Sequence, residues 1–165
     1  MTNFSIKVYK QYFNFASAHF LVFGDGTREP LHGHNYRVAV TGHAPELSAD
    51  MVFDFLDIKP IVRVLCDELD HKILLPQNNP HLSFIHEGQN VVLSCRDGAR
   101  FSLPQSDVLF LPIPNTSAER LAFYLNEQLR ARVLALFQFS FKEIEVEVEE
   151  TPGQSASYRH IERPQ

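Results

Sequence analysis

The sequence contains no tryptophan, only two cysteines and no long apolar run, and each absence excludes a class of protein. Cys66 and Cys95 are too few for a disulfide framework, which favours a reducing cytoplasm as the location. Without a run of about 18 apolar residues there is no predicted membrane span, and the alternating residues 1–10 do not form a signal-peptide block. The net charge of −5 argues against a general binder of nucleic acid or of anionic membranes.

What remains is typical of a soluble globular protein. The chain has 165 residues, of which 44% are apolar and 21% are charged. Because this length matches about one domain, and linkers and repeats are absent, we expect a single domain over residues 1–165.

Apolar periodicity separates strands from helices. Strand-type alternation recurs four times: Phe4–Phe15, His34–Gly42, Phe141–Glu150 and, more briefly, Tyr158–Ile161. Helical spacing recurs twice, with Asp54 or Asp57 and then residues 115–117 as candidate N-caps: Ile58–Leu69 and Ala118–Leu129. Three short strands lie between the helices, with a turn at Asp97-Gly98: 82–85, 91–94 and 100–103. This order predicts an α+β fold in which both helices cover one face of an antiparallel sheet.

One face of the third main strand is strongly acidic. It carries four glutamates: Glu143, Glu145, Glu147 and Glu149. Because like charges side by side repel each other, this face needs either solvent or basic partners such as Lys7 and Arg37 of the first two strands. The pattern leaves two interpretations open, a solvated sheet face or the inside of an oligomeric barrel.

Three histidines are candidates for a metal site. His32 and His34 alternate with Gly33 at the start of a strand, so that both imidazoles face the same side. His19 ends the neighbouring strand and can approach the same point. Three neutral imidazoles without a fourth protein ligand are typical of a catalytic zinc site that keeps an open position. The alternative is that these are ordinary surface or core histidines. A cupin site is excluded, because no glutamate follows between Asn35 and Gly42.

Two acidic positions admit a structural and a functional interpretation. Asp70-His71 ends the first helix. In the structural interpretation, the helix dipole alone stabilises a protonated histidine there. In the functional interpretation, His71 is a general base that the Asp70 carboxylate orients. Glu150 closes the acidic strand as a solvated carboxylate. Alternatively, it accepts two parallel hydrogen bonds from the amidine-like edge of a pterin or guanine.

Together these segments resemble the family of 6-pyruvoyl-tetrahydropterin and 6-carboxytetrahydropterin synthases. The similarity covers nearly the whole chain and is carried by six segments: Phe15-Ala-Ser-Ala-His19, Leu31-His-Gly-His-Asn-Tyr36, Asp54-Phe55, Leu69-Asp-His71, Pro114-Asn-Thr-Ser-Ala-Glu119 and Glu149-Glu-Thr151. The resemblance implies a tunnelling fold, in which four-stranded sheets from three subunits form a barrel and two trimers stack as a hexamer. Residues 80–110 would then be an extra hairpin, and the acidic face would lie inside the barrel.

The resemblance also assigns roles to individual residues. The zinc ligands would be His19, His32 and His34. Asp70 and His71 would transfer protons, and Glu150 would anchor the pterin. Thr116 and Ser117 match a segment that contacts the pterin ring.

The sequence departs from the family pattern at the usual catalytic cysteine. That position, four residues before the first histidine of the motif, is Arg28, and the loop contains no cysteine. Glu29 follows it, which resembles the branch of the family that uses glutamate and releases 6-hydroxymethyl-7,8-dihydropterin, a folate precursor. Glu29 as a plain solvated carboxylate is the alternative.

Four functions follow from this resemblance. The first is a zinc-dependent lyase that cleaves the side chain of 7,8-dihydroneopterin triphosphate. The others are a 6-carboxytetrahydropterin synthase of the deazaguanine (queuosine) pathway, a 6-pyruvoyl-tetrahydropterin synthase, and a catalytically silent relative that binds pterin or metal.

Overall fold

The computed structural model describes residues 3–162. Ten strands are present: β1 (Phe4–Val8), β2 (Asn14–His19), β3 (His32–Ala44), β4 (Lys72–Pro76), β5 (Leu82–Glu87), β6 (Asn90–Cys95), β7 (Arg100–Pro104), β8 (Val108–Leu111), β9 (Glu143–Thr151) and β10 (Gln154–Ile161). The described residues also form two α-helices: α1 (Phe55–Leu69) and α2 (Ala118–Phe137). The α+β class is therefore confirmed. One domain over residues 1–165 stays a prediction, and its residues 1–2 and 163–165 lie outside the described part.

The main sheet has seven strands, so the expected four-stranded sheet is wrong in number. Its order is β10-β9-β3-β2-β4-β8, and β1 pairs with the remaining length of β3. The expected first strand, Phe4–Phe15, is divided by a turn in which Phe13 N–H donates to the Lys10 carbonyl, and both halves pair with β3. β4 and β8 add to the β2 edge in parallel.

The two helices begin where the sequence predicts. Asp54 caps α1 by accepting a hydrogen bond from Leu56 N–H at 2.7 Å, and Ser117 caps α2 through Arg120 N–H at 3.4 Å. Their apolar sides and the helix-facing side of the sheet form one buried cluster. Neither helix within residues 3–162 is long and apolar enough to cross a membrane.

The expected extra hairpin is a separate three-stranded antiparallel sheet, β5-β6-β7, called the inserted sheet below. Gly98 has φ +91° in the turn between β6 and β7, as the Asp-Gly pair predicts. The inserted sheet covers a second buried cluster, whose buried members are Phe20, Val22, Leu75, Leu93 and Cys95. Because Phe20 and Val22 directly follow β2, this sheet packs beside the loop that leads to the histidine motif.

The acidic face of β9 lies on the side of the sheet away from the helices. Arg159 of β10 neutralises part of it through ion pairs with Glu143 at 3.2 Å and Glu145 at 2.8 Å. Arg37 lies opposite Glu149 in the register of β3 and β9. The barrel, which requires further copies of the chain, stays a prediction.

Candidate metal and substrate site

Three imidazoles converge at the ends of β2 and β3. His19 and His32 are directly opposite each other in the antiparallel register, and His34 lies two residues further along the same face of β3. One nitrogen from each ring lies within 4.8 Å of the others. The structure thus brings together the three histidines that the sequence nominates, and they are called the histidine cluster below.

Backbone carbonyls orient two of the three rings. The Thr116 carbonyl accepts from Nδ1 of His19 at 2.9 Å, and the Pro30 carbonyl accepts from Nδ1 of His32 at 2.8 Å. A carbonyl accepts only from a protonated Nδ1, so each ring has its Nε2 lone pair directed into the cluster. Burial lowers the pKa of His19 below its ordinary 6.5, although the Thr116 carbonyl and Glu150 act in the opposite direction. His19 is therefore present at pH 7 as the neutral imidazole, which is the form that binds metal.

The arrangement fits a divalent metal ion. Nε2 of His19 is fully buried and has no hydrogen-bond partner among the described residues. A buried nitrogen without a partner is costly in free energy, and a metal ion accepts its lone pair. Three imidazoles, each with one ring nitrogen within 4.8 Å of those of the other two, are a donor set that suits zinc.

Gly33 allows the two strands to approach closely. A Cβ at this position would lie 3.0 Å from the carbonyl oxygen of Ser17 on β2. Glycine avoids that contact, so His19 stays within reach of the two histidines of β3.

Glu150 lies at the histidine cluster rather than out in solvent. Its Oε1 is 3.4 Å from Nε2 of His19 and 3.5 Å from Nε2 of His34. Tyr36, fully buried on the same sheet face, has a hydroxyl without a hydrogen-bond partner among the described residues. Burial raises the pKa of Tyr36, and the Glu150 carboxylate raises it further, so the phenol keeps its proton.

Tyr36 is a site residue that sequence reasoning missed. Its ring packs edge-on against those of His19 and His34, with centroids 5.8 and 5.6 Å away. A signal was available, because Tyr36 continues the alternation of His32 and His34 on one strand face. The carbonyls of Thr116 and Pro30 carry no such signal, since every residue has one.

Glu29 lies beside the cluster, next to His32. Its backbone N–H donates to the Leu21 carbonyl at 3.0 Å, which holds the returning arm of the loop against the chain that follows β2. The Glu29 carboxylate accepts from Leu21 N–H at 3.3 Å, and its Oε2 is 4.0 Å from Nε2 of His32. About a third of this side chain is exposed, which leaves it accessible to a ligand.

Asp70 and His71 form a hydrogen-bonded pair, as their sequence predicts. Nδ1 of His71 is 2.8 Å from Oδ2 of Asp70, whose Oδ1 accepts from the Ala16 N–H at 2.7 Å. Partial burial works against ionisation of Asp70, but the Ala16 N–H and the imidazole outweigh it and lower the pKa of this carboxyl. Asp70 is therefore a carboxylate at neutral pH, able to orient the imidazole.

A groove of about 650 Å³ connects the pair with the histidine cluster. His34, His71 and Glu150 all line it. The groove is large enough for a small heterocyclic ligand.

Thr116 and Ser117 are both engaged within the chain. Thr116 is fully buried, and its hydroxyl donates to the Phe20 carbonyl at 3.0 Å. The Ser117 hydroxyl caps α2. Their contact with a ligand stays a prediction.

Neither cysteine takes part in this site. Cys66 and Cys95 are buried in the two hydrophobic clusters. Burial raises the pKa of Cys66 to about 12 and that of Cys95 above its ordinary value, so both remain thiols.

Comparisons with known proteins agree with this geometry. The model of the 6-pyruvoyl tetrahydropterin synthase family matches residues 7–161. A protein of Methanocaldococcus jannaschii, provisionally named 6-carboxy-5,6,7,8-tetrahydropterin synthase, is 40% identical over 147 residues, covering 88% of each chain. A protein of Pyrococcus abyssi with the same provisional name is 29% identical and covers 92% of this chain and 88% of its own.

Solved structures agree as well. The 6-pyruvoyltetrahydropterin synthase of Plasmodium vivax is 32% identical and superposes with a TM-score of 0.90, covering 98% of this chain and 99% of its own. Two variants of that enzyme replace a glutamate, described as a catalytic residue, by alanine or by cysteine. On the matched residues, the sequence identity and the shared fold, the chain belongs to the 6-pyruvoyl tetrahydropterin synthase family.

Proposed function

We propose that this protein is a zinc-dependent lyase that cleaves the side chain of 7,8-dihydroneopterin triphosphate and releases 6-hydroxymethyl-7,8-dihydropterin. The observation that carries this proposal is the position of Glu29, whose carboxylate is 4.0 Å from Nε2 of His32. The loop that bears it has no cysteine, and both thiols of the chain are buried elsewhere. A carboxylate is thus the group available to carry a proton at this edge of the cluster. The catalytic glutamate of the P. vivax enzyme supports the same chemistry.

The histidine cluster would hold the zinc ion through the three Nε2 atoms. When bound, zinc polarises a side-chain hydroxyl of the substrate and stabilises negative charge on its oxygen. The Thr116 and Pro30 carbonyls keep the imidazoles of His19 and His32 in the tautomer that this requires.

Two groups of this chain would move protons. A base removes the proton of the 2′-hydroxyl, the C1′–C2′ bond breaks as its electrons pass into the pterin ring, and an acid returns a proton to C1′. C2′ then leaves together with C3′ as an aldehyde that carries the triphosphate. Glu29 on one side and the Asp70–His71 pair on the other are the candidates for base and acid.

Glu150 would anchor the pterin ring. A carboxylate at the mouth of the groove accepts two parallel hydrogen bonds from the 2-amino and N3–H edge of a pterin. Thr116 and Ser117 would border the same ring from the start of α2.

A second candidate is 6-carboxytetrahydropterin synthase, which acts in the deazaguanine pathway. It is supported by the names of the M. jannaschii and P. abyssi relatives. The 6-pyruvoyl-forming reaction and a catalytically silent pterin- or metal-binding relative are the remaining alternatives.

The assembly is part of the same proposal. We expect a homohexamer of two stacked trimers in the cytoplasm, with the acidic face of β9 inside a barrel built from three sheets. Active sites between subunits would then explain why the groove is open in one chain.

The test is product identification after incubation of zinc-loaded protein with 7,8-dihydroneopterin triphosphate. We expect 6-hydroxymethyl-7,8-dihydropterin as the main product of the wild type. Glu29→Ala should keep its zinc and pterin binding but lower turnover about 100-fold or more, the scale of losing a positioned acid–base group. Glu87→Ala, which removes an exposed carboxylate of β5, is the matched control and should turn over normally.

The outcomes separate the candidates. A main product of 6-carboxytetrahydropterin would establish the second candidate instead. Normal turnover by Glu29→Ala would move the proton carrier to His71 or another group, and no turnover by loaded wild type would favour the silent relative.

A further inference from the structure

Arg28 precedes Glu29, yet its side chain turns away from the groove and packs against the inserted sheet. Its guanidinium carbon is 4.9 Å from the ring centroid of Phe101 on β7 and 5.7 Å from that of Phe20. Its Nε is 3.2 Å from Oδ2 of Asp97, in the turn between β6 and β7. Two aromatic faces and a carboxylate therefore hold one guanidinium, and about a fifth of the whole Arg28 side chain is exposed.

The same guanidinium holds the backbone of its neighbour. Nη1 of Arg28 donates to the carbonyl oxygen of Glu29 at 2.8 Å. Arg28 also pairs with Val22 through an isolated β-bridge, so the residue before Glu29 is fixed through both its backbone and its side chain. The contacts of Arg28 run from the inserted sheet to the peptide group of Glu29.

These contacts disfavour a role for Arg28 in binding the substrate phosphates directly. A guanidinium that recognises phosphate needs its fork of N–H groups free and facing the ligand. In Arg28 one N–H of the fork, at Nη1, donates to the Glu29 carbonyl, and Nε lies 3.2 Å from Asp97 in an ion pair without hydrogen-bond geometry. The flat face of the guanidinium covers Phe101.

We propose that Arg28 is a positioning residue and that the inserted sheet, acting through it, keeps the Glu29 carboxylate beside the histidine cluster. The proposal rests on the proposed function, in which Glu29 carries a proton. A group that transfers protons must stay within hydrogen-bond reach of its partner, and a displacement of about 1 Å is enough to slow the reaction severely. The inserted sheet is then a support for catalysis that never touches the substrate.

The experiment changes the inserted sheet and leaves the loop itself intact. Phe101→Leu removes the aromatic face under Arg28, and Asp97→Asn removes its ion pair. Phe84→Leu is the matched control, because Phe84 lies on the same sheet but packs against Phe110, with ring centroids 5.0 Å apart. Zinc content, oligomer size and melting temperature are measured for all three variants.

The first readout is hydrogen exchange of the loop, which is independent of any reaction. In Phe101→Leu and Asp97→Asn, the N–H groups of Phe23 and Glu29, which pair with the carbonyls of Thr27 and Leu21, should exchange about 10-fold faster than in wild type. Phe84→Leu should leave their exchange unchanged. Equal exchange in all four proteins would overturn the proposal.

The second readout is turnover. We expect kcat of Phe101→Leu to fall about 10-fold with KM unchanged, because the substrate still binds while the carboxylate is displaced. In the Glu29→Ala background, Phe101→Leu should cause no further loss, which a general structural defect would not produce. A loss of kcat that is equally large in both backgrounds overturns the positioning role.

The two proposals fail in different ways. If Glu29→Ala alone turns over normally, the proposed role of Glu29 in proton transfer is wrong, and so is the proposed role of Arg28 as a positioning residue. If Glu29→Ala is slow but Phe101→Leu has normal kcat despite faster exchange, the proposed function stands and the positioning role is overturned.

Discussion

The histidine cluster and the Asp70–His71 pair differ most in burial. His19 is fully buried, whereas 84% of the His71 side chain is exposed. A backbone carbonyl from a distant segment orients His19 and a local one, that of Pro30, orients His32, whereas the side-chain partner of His71 is its own neighbour in sequence, Asp70. The proposed metal half of the site is thus built into the fold, and the proposed proton-transfer half lies on its rim.

The backbone at His71 shows how this exposed half is held in place. His71 has φ +57°, in the left-handed region that non-glycine residues rarely adopt. The conformation is held because His71 N–H donates to the Ala16 carbonyl at 2.7 Å while Ala16 N–H donates to Asp70. Such residues concentrate at functional sites. The exposed pair is therefore a candidate functional feature that its backbone contacts hold in place.

The largest expected effect is on the buried half. His34→Ala should reduce zinc from about one ion per chain to nearly none, because two imidazoles do not complete a catalytic zinc site. His43→Ala is the matched control, since His43 lies on the same strand but on the other face, beside Glu143. Metal analysis of both purified proteins measures this. Equal zinc in both variants would show that the ion binds elsewhere.

Next in size is the effect of Glu150→Gln on pterin binding. The amide presents a donor where the pterin also donates, so we expect binding to weaken by about 2–5 kcal/mol. Titration with a pterin analogue measures this, and zinc content reports on the histidine cluster in the same samples. If zinc is lost instead of pterin affinity, then Glu150, at 3.4 Å from Nε2 of His19, is a metal ligand and not the anchor.

A smaller effect is expected on the exposed half. Asp70→Asn should lower turnover about 10-fold, because the amide still accepts from Ala16 N–H but no longer stabilises a protonated His71. Zinc content should not change. Steady-state kinetics measures the effect, and a loss as large as that of Glu29→Ala would show that this pair is the main proton carrier.

The smallest effect concerns the start of α2. Ser117→Ala removes the N-cap and should lower the free energy of unfolding by up to about 1 kcal/mol. Denaturant unfolding measures it. Turnover should fall only slightly, because Ser117 would border the pterin ring while the neighbouring Thr116 keeps its buried bonds to His19 and Phe20. Fully normal turnover would count against the predicted contact of Ser117 with the pterin.

Local patterns in the sequence determined much of this protein. Alternation in β2 and β3 places His32 and His34 on one face and predicts that His19 joins them. Helical spacing and capping residues located the start of both helices to within a few residues, but α2 continues to Phe137, well past its predicted end at Leu129. The absence of a cysteine near Glu29 is also a property of sequence alone. These predictions succeed because period and capping depend on residues that are close together in the chain.

Only the tertiary structure decided the rest. The parallel addition of β4 and β8 enlarges the sheet to seven strands, and no periodicity reports which strands become neighbours. The carbonyls that orient His19 and His32 are invisible in sequence, because every peptide group has one. Glu150 meets His19, and Arg28 meets Phe101, through contacts between segments far apart in the chain. A pattern tells which face a side chain is on, whereas its neighbours are set by how the sheets and helices pack.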